Sequence, residues 1–136
     1  MNAPPYALAA VLSSGEIERF YSALSVLVSS ATDGSRCAAL ASFRALDLLL
    51  DDELLQHAGE PEATPSLSWA GRETFARSLL ELRDTALELD GLDLYACAAS
   101  VETMSRTPAG VGERLAGVMS TPRFLREVQG AALIFV

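Results

Sequence analysis

The chain has 136 residues, a length that suits one compact domain with its own hydrophobic core. All ten basic residues are arginines, and His57 is the single histidine. This composition excludes lysine-based sites such as a Schiff-base lysine, and any site that needs two histidines from one chain. The formal net charge of −8 argues against general nucleic-acid binding, which depends on neutralising phosphates.

Hydrophobic residues make up 50% of the chain, and its mean hydropathy is +0.26. The longest uninterrupted apolar run, residues 6–12, is far shorter than the roughly 20 residues of a membrane-spanning helix. No charged segment precedes this run, because the first basic residue is Arg19, so a secretory signal is not expected. We therefore expect a cytoplasmic protein with no membrane partner, and the apolar composition favours a homo-oligomer.

Short apolar runs alternate with segments of helical periodicity along the chain. Strands are predicted at residues 6–12, 37–41, 92–98 and 131–136, the last of them buried. Helices are predicted at residues 17–32, 43–50, 72–89 and from Thr121, the last with an apolar face of Phe124, Leu125 and Val128. Residues 51–71 are predicted to form a long loop that contains His57 and Trp69, although its part around Leu54 and Leu55 fits a continuation of the preceding helix. Residues 115–119 fit either a helix or a strand.

This alternation is typical of an α/β fold. We expect residues 1–136 to form one domain of three layers, with a mostly parallel sheet of four to five strands and helices on both faces. The carboxyl ends of parallel strands then meet at one edge of the sheet, where helix N-termini favour anions.

Several serine and threonine side chains are expected at that edge. Ser13 and Ser14 follow the first strand and Ser42 follows the second. The later elements contribute Ser100, Ser120 and Thr121, and Ser100 is predicted to cap a helical turn through Met104. The hydroxyls could bind an anion, or each could act only as a helix cap.

Cys97 differs from these hydroxyls because capping does not require a thiol. It ends a strand where a helix begins, and residues 97–136 carry a net charge of +1, from four arginines and three acids. The alternative is a buried core cysteine. Cys37 opens its strand at the opposite edge, about 16 Å away along five residues, so no Cys37–Cys97 disulfide is expected.

Several segments resemble the DsrE/DsrF-like family, in particular its peroxiredoxin-like branch. The most specific is Ala96-Cys97-Ala98-Ala99-Ser100-Val101-Glu102-Thr103-Met104, in which Ser, an acid and Met follow the cysteine at the family's spacing. Similar matches occur at residues 13–24, 41–49 and 117–121, although Arg44-Ala45 stands where related members often have Trp-Gly. The resemblance implies a YchN-like fold, assembly as trimers or hexamers, a short strand within residues 115–119, and a sulfur-carrying role for Cys97.

The resulting hypothesis is a small sulfur-relay protein that carries sulfane sulfur as a persulfide on Cys97. Its partners would be sulfur donors and acceptors, either proteins or small thiols, and the chemistry requires no cofactor or metal. The alternative is an oligomeric binding module for a small anionic ligand or a protein, with Cys97 inert. A thiol peroxidase ranks last, because the chain lacks the Thr-x-x-Cys pattern that activates a peroxidatic thiol.

Overall fold

The computed structural model of the chain describes residues 4–136. Within that range, helices connect every strand to the next, as the apolar pattern predicts. The elements in chain order are β1 (Leu8–Leu12), α1 (Ile17–Thr32), β2 (Cys37–Ala41), α2 (Phe43–Leu50), α3 (Leu54–Ala58), α4 (Trp69–Glu88), β3 (Leu92–Cys97), α5 (Ala98–Thr103), α6 (Pro108–Gly112), β4 (Gly117–Met119), α7 (Thr121–Glu127) and β5 (Ala132–Phe135).

The five strands form one sheet in the order β4-β3-β2-β1-β5, and every neighbouring pair is parallel. The chain advances in one direction from β1 to β4 and then returns to place β5 beside β1. Because crossover connections between parallel strands are right-handed, connections that run in opposite directions along the sheet lie on opposite faces of it. The α/β fold class, with a parallel sheet and helices on both faces, is thereby confirmed, and the ambiguous segment before Ser120 contains the strand β4.

The first face of the sheet carries the larger hydrophobic cluster, which α1, α2 and α4 supply together with alternate residues of β1, β2 and β3. All five residues of β2 are buried, as expected for the central strand of a sheet covered on both sides. In α1 the buried residues recur at helical spacing, so one stripe packs on the sheet. They are Ile17, Phe20, Ala23, Leu24, Leu27 and Ala31.

The second face is covered by a single short helix, α7. Phe124 of α7 and Val128, the residue that follows α7, pack in one cluster with Ala38 and Leu40 of β2 and Met119 of β4. Leu125, predicted to share this apolar face, is half-exposed instead. A seven-residue helix cannot cover five strands, so part of this face near β5 stays open to solvent.

A buried arginine closes the carboxyl end of α2. Arg83 of α4 donates hydrogen bonds from its Nη1 to the carbonyl oxygens of Leu48, Leu49 and Asp51, at 2.9, 3.4 and 2.8 Å. Helix ends leave carbonyl groups without partners inside the helix, and an unpartnered buried carbonyl is costly. Arg83 therefore satisfies these groups and fixes α4 against α2.

Further sequence predictions differ from the structure. Residues 51–71 contain α3, and α4 begins at Trp69 rather than Arg72, because the Ser68 side chain caps it by accepting the N–H of Gly71. Ser100 lies inside α5, whose N-cap is Cys97. The last strand is an exposed edge rather than a buried strand, since apolar composition alone does not distinguish the two. No helix in the described part of the chain has the length and apolarity to cross a bilayer.

We predict that Arg83→Ala lowers the free energy of unfolding by about 3 kcal/mol, because it leaves several buried carbonyl groups without a donor. Urea denaturation followed by circular dichroism measures this change. The matched control is Arg77→Ala on an exposed turn of the same helix, which should change the free energy by less than about 0.5 kcal/mol. Equal effects of the two substitutions would contradict the capping role of Arg83.

Candidate functional site

Cys97 lies at the carboxyl edge of the sheet, where β3 ends and α5 begins. In the parallel register it pairs with Met119, the last residue of β4. The residue is 7% exposed and belongs to the cluster under α7. The thiol is therefore nearly enclosed, with only a narrow approach from solvent.

Donor groups of α5 and α7 surround the Cys97 sulfur, although its side chain forms no capping hydrogen bond to α5. Burial raises the pKa of the thiol, but the N–H groups of Ser100 and Ala99 and the hydroxyls of Ser100 and Thr121 lower it by more. The net effect is a pKa below the ordinary value for cysteine. Because the thiolate is the nucleophilic form, this arrangement favours reaction at sulfur near neutral pH.

Ser100 connects the surroundings of this sulfur to the turn between β2 and α2. Its side chain is fully buried, and its hydroxyl oxygen accepts the backbone N–H of Phe43 at 3.0 Å. A hydroxyl that accepts one bond through oxygen keeps its proton free to donate. The Phe43 N–H therefore orients the Ser100 hydroxyl so that its proton is available to Cys97.

Phe43 begins α2 in a left-handed backbone conformation, with a φ of +46°. This region is unfavourable for a residue with a bulky side chain, and such strain tends to cluster at functional sites. Only Ser42 separates β2 from α2, so the chain must reverse within one residue. The aromatic ring remains half-exposed beside the site.

Arg44 adds a positive charge to the same edge. Its side chain lies across Gly15 so closely that a Cβ on Gly15 would stand 2.8 Å from the Arg44 Cβ. Among residues 4–136, no carboxylate pairs with the Arg44 guanidinium. Glycine at position 15 therefore lets α2 bring an unpaired arginine next to the turn that follows β1.

The other predicted binding hydroxyls bond to backbone groups. Ser13 donates to the carbonyl of Val136 at 3.2 Å, and Ser42 donates to the carbonyl of Leu12 at 3.4 Å. Ser14 accepts the N–H of Glu16 at 3.1 Å, and Ser120 accepts the N–H of Arg123 at 3.3 Å. Of the seven predicted residues, the structure brings Cys97, Ser100 and Thr121 together, while these four hold the surrounding turns.

The remaining residues with reactive side chains lie apart from this site. Cys37 is fully buried at the start of β2, and both cysteines are free. His57 lies on α3, where its Nδ1 and the Asp51 carboxylate are 2.6 Å apart, and this pairing raises the pKa of His57. Within residues 4–136 no three metal-binding side chains gather into a cluster.

Phe43 and Arg44 were not identified from the sequence. An aromatic residue gives no sign that it will adopt a left-handed conformation, and the only hint is the single residue between β2 and α2. Comparison with known proteins adds no further assignment, since no protein-family model and no curated protein sequence matches the chain.

We predict that alkylation of Cys97 by iodoacetamide reaches half its maximal rate at a lower pH in the folded protein than in the urea-unfolded protein, because the surrounding donors lower the pKa of Cys97. Ser100→Ala should lower the rate near neutral pH about fivefold, since a hydrogen bond worth roughly 1 kcal/mol to the thiolate is lost. Thr121→Val should act in the same direction. Mass spectrometry assigns the product, with buried Cys37 as the internal control for unfolding.

We also predict that Phe43→Gly is more stable than Phe43→Ala by about 1 kcal/mol, because only glycine adopts the left-handed conformation without strain. An ordinary helical position shows the reverse order, in which glycine is the less stable by a similar amount. Thermal and urea denaturation of the two variants give the comparison. A more stable alanine variant would show that position 43 is unstrained.

Proposed function

We propose that this protein is a sulfur-relay protein that carries sulfane sulfur as a persulfide on Cys97. The observation that supports the proposal is the position of Cys97 at the end of β3 and at the N-cap of α5, beside the start of α7. Ala99, Ser100 and Thr121 there lower the pKa of the thiol, which favours an anion. The resemblance of residues 96–104 to the DsrE/DsrF-like family supports the same role.

In the loading step the Cys97 thiolate attacks the outer sulfur of a donor persulfide, R–S–SH. A new bond forms between the Cys97 sulfur and that outer sulfur, while the S–S bond of the donor breaks and RS⁻ leaves. Both charge and sulfur oxidation level are conserved in this exchange, so it requires no external oxidant or reductant. The reduced donor thiolate then departs.

In the unloading step an acceptor thiolate attacks the outer sulfur of the Cys97 persulfide. The acceptor becomes R′–S–SH, and Cys97 leaves as the thiolate that the surrounding donors stabilise. A thiol with a low pKa is also a good leaving group, so the same hydrogen bonds assist both release and loading. Cys37 takes no part, because it lies fully buried at the start of β2.

Thr121 is exposed whereas Ser100 is fully buried, so Thr121 marks the side from which solvent and partners approach. Its hydroxyl is positioned to contact a sulfur atom added to Cys97. Since only 7% of Cys97 is exposed, the donor and acceptor should present a slender group, such as a small thiol or a cysteine on a flexible segment. We place the protein in the cytoplasm, where both free cysteines remain reduced.

The burial of Cys97 favours one alternative, a binding module for a small anionic ligand or protein in which the thiol is inert. The same donors would then hold the negatively charged group of the ligand. Cys97→Ser distinguishes the two proposals, because it abolishes sulfur transfer but leaves the affinity of an inert site nearly unchanged.

We predict that incubation with glutathione persulfide adds the mass of one sulfur atom to Cys97, and that adding a free thiol removes it. Intact-protein and peptide mass spectrometry locate the added sulfur. Cys97→Ser should show no gain, and Thr121→Val should load about fivefold more slowly because one donor of roughly 1 kcal/mol is missing.

The matched control is Thr74→Val, which removes an exposed hydroxyl on α4 that bonds only its own helix, and it should load like the wild type. The sulfur-relay proposal would be contradicted if persulfide donors added no sulfur to Cys97, or if they labelled Cys37 equally. The binding module would then be the better explanation.

A further inference from the structure

The outer edge of β5 is an unprotected pairing edge. Among residues 4–136 no strand pairs with its outer side. Protein sheets usually protect such edges with lysine, proline, inward charges or bulges. The sequence Ala132-Leu133-Ile134-Phe135 contains none of these residues, whereas the opposite edge, β4, has only three residues and begins with glycine.

Backbone directions along β5 show which groups face outward. The N–H of Ala132 bonds the Ala7 carbonyl at 3.0 Å, and the N–H of Val136 bonds the Val11 carbonyl at 2.9 Å. Because backbone polar groups alternate sides along a strand, those of Leu133 and Phe135 point away from the sheet. The edge therefore offers two N–H and two C=O groups to a partner strand.

The side chains beside these groups are apolar on both faces. Leu133 is 52% and Phe135 is 75% exposed, and both lie on the face that α7 leaves partly open. On the other face, Ile134 lines a groove of about 320 Å³ beside α1. Apart from Glu18, Arg19 and Ser22 at one end, the groove is lined by Ala23, Val26, Ile134 and Val136.

We propose that a second copy of this chain docks on β5, antiparallel, across a two-fold axis through Ile134. In this register Leu133 of one copy stands opposite Phe135 of the other, and each such pair exchanges two backbone hydrogen bonds. The exposed Leu133 and Phe135 side chains cover one another, and the two Ile134 side chains meet beside α1. The two sheets become one continuous sheet.

The β5 edges of two copies are complementary, because the outward backbone groups and the exposed side chains of β5 are arranged symmetrically about Ile134. A two-fold contact needs this self-complementarity, since the same patch must serve on both copies. A covered aromatic side chain buries about 150–250 Å², so this edge offers a few hundred Å² per copy. Stable interfaces bury about 800 Å² per partner, so we expect this smaller contact to be reversible, with a dissociation constant in the micromolar range.

The net charge of the chain opposes dimerisation and makes dimerisation depend on salt. Each copy carries a net charge of −8, whereas β5 itself is uncharged. Added salt screens the repulsion between the copies and strengthens apolar contacts, so dimerisation should increase with ionic strength. The contact is consistent with a dimer or with a hexamer that contains two-fold axes, and a trimer cannot contain it.

The first test is sedimentation of the full chain across concentration and salt. We expect reversible association into an even number of copies, and Phe135→Lys should raise the dimer dissociation constant at least about thirtyfold, as loss of an interface anchor does. The matched control is Leu55→Lys, which charges a 45% exposed leucine on α3 and should not change association. Circular dichroism shows whether each variant folds.

The register has its own test in a Cys97→Ser background. Ile134→Cys should form an intermolecular disulfide on mild oxidation, because directly opposed residues bring their Cα atoms within about 4.5 Å. Leu133→Cys should not, since its symmetry mate lies beyond the roughly 7 Å that a disulfide spans. A monomer at about 100 µM, well above a micromolar dissociation constant, would overturn the proposal. A trimer would also overturn the proposal, as would a disulfide that forms in Leu133→Cys but not in Ile134→Cys. These readouts do not depend on sulfur transfer.

Discussion

The parallel register of β2, β3 and β4 determines what happens at the carboxyl edge of the sheet. Ala41 pairs with Ala96, and Cys97 pairs with Met119, so the three strands end almost level. The turns that follow them must therefore lie side by side. Because no strand extends past the others, the Phe43 N–H donates to the Ser100 hydroxyl of the neighbouring turn. For the same reason the Thr121 hydroxyl lies close enough to Cys97 to lower the pKa of its thiol.

Two opposing effects meet at Cys97. Burial disfavours the charged thiolate, and the hydrogen bonds of three neighbouring residues favour it. The donors prevail because the site supplies both backbone N–H groups and hydroxyls. The result is a thiol whose acidity is raised by fixed dipoles, which suits an exchange in which the sulfur acts first as nucleophile and later as leaving group.

Much of the fold follows from the sequence, since apolar runs and helical spacing identify the strands and most helices. The position of Cys97 beside Thr121 also follows, because parallel strands end at a common edge. The strain at Phe43 does not, since it arises from the single-residue link between β2 and α2. Likewise, the apolar run of β5 reads as buried, although strand order places it at an edge.

The most direct test of the central claim is a titration of the folded protein by the ultraviolet absorbance of thiolate, taken as the difference between wild type and Cys97→Ser. Subtracting the variant isolates Cys97 at equilibrium, without a reagent that must reach a nearly enclosed sulfur. We expect a midpoint below the ordinary pKa of cysteine, which Cys97 shows in the same protein unfolded by urea. A midpoint at or above that value would show that burial prevails, and the sulfur-relay proposal would lose its physical basis.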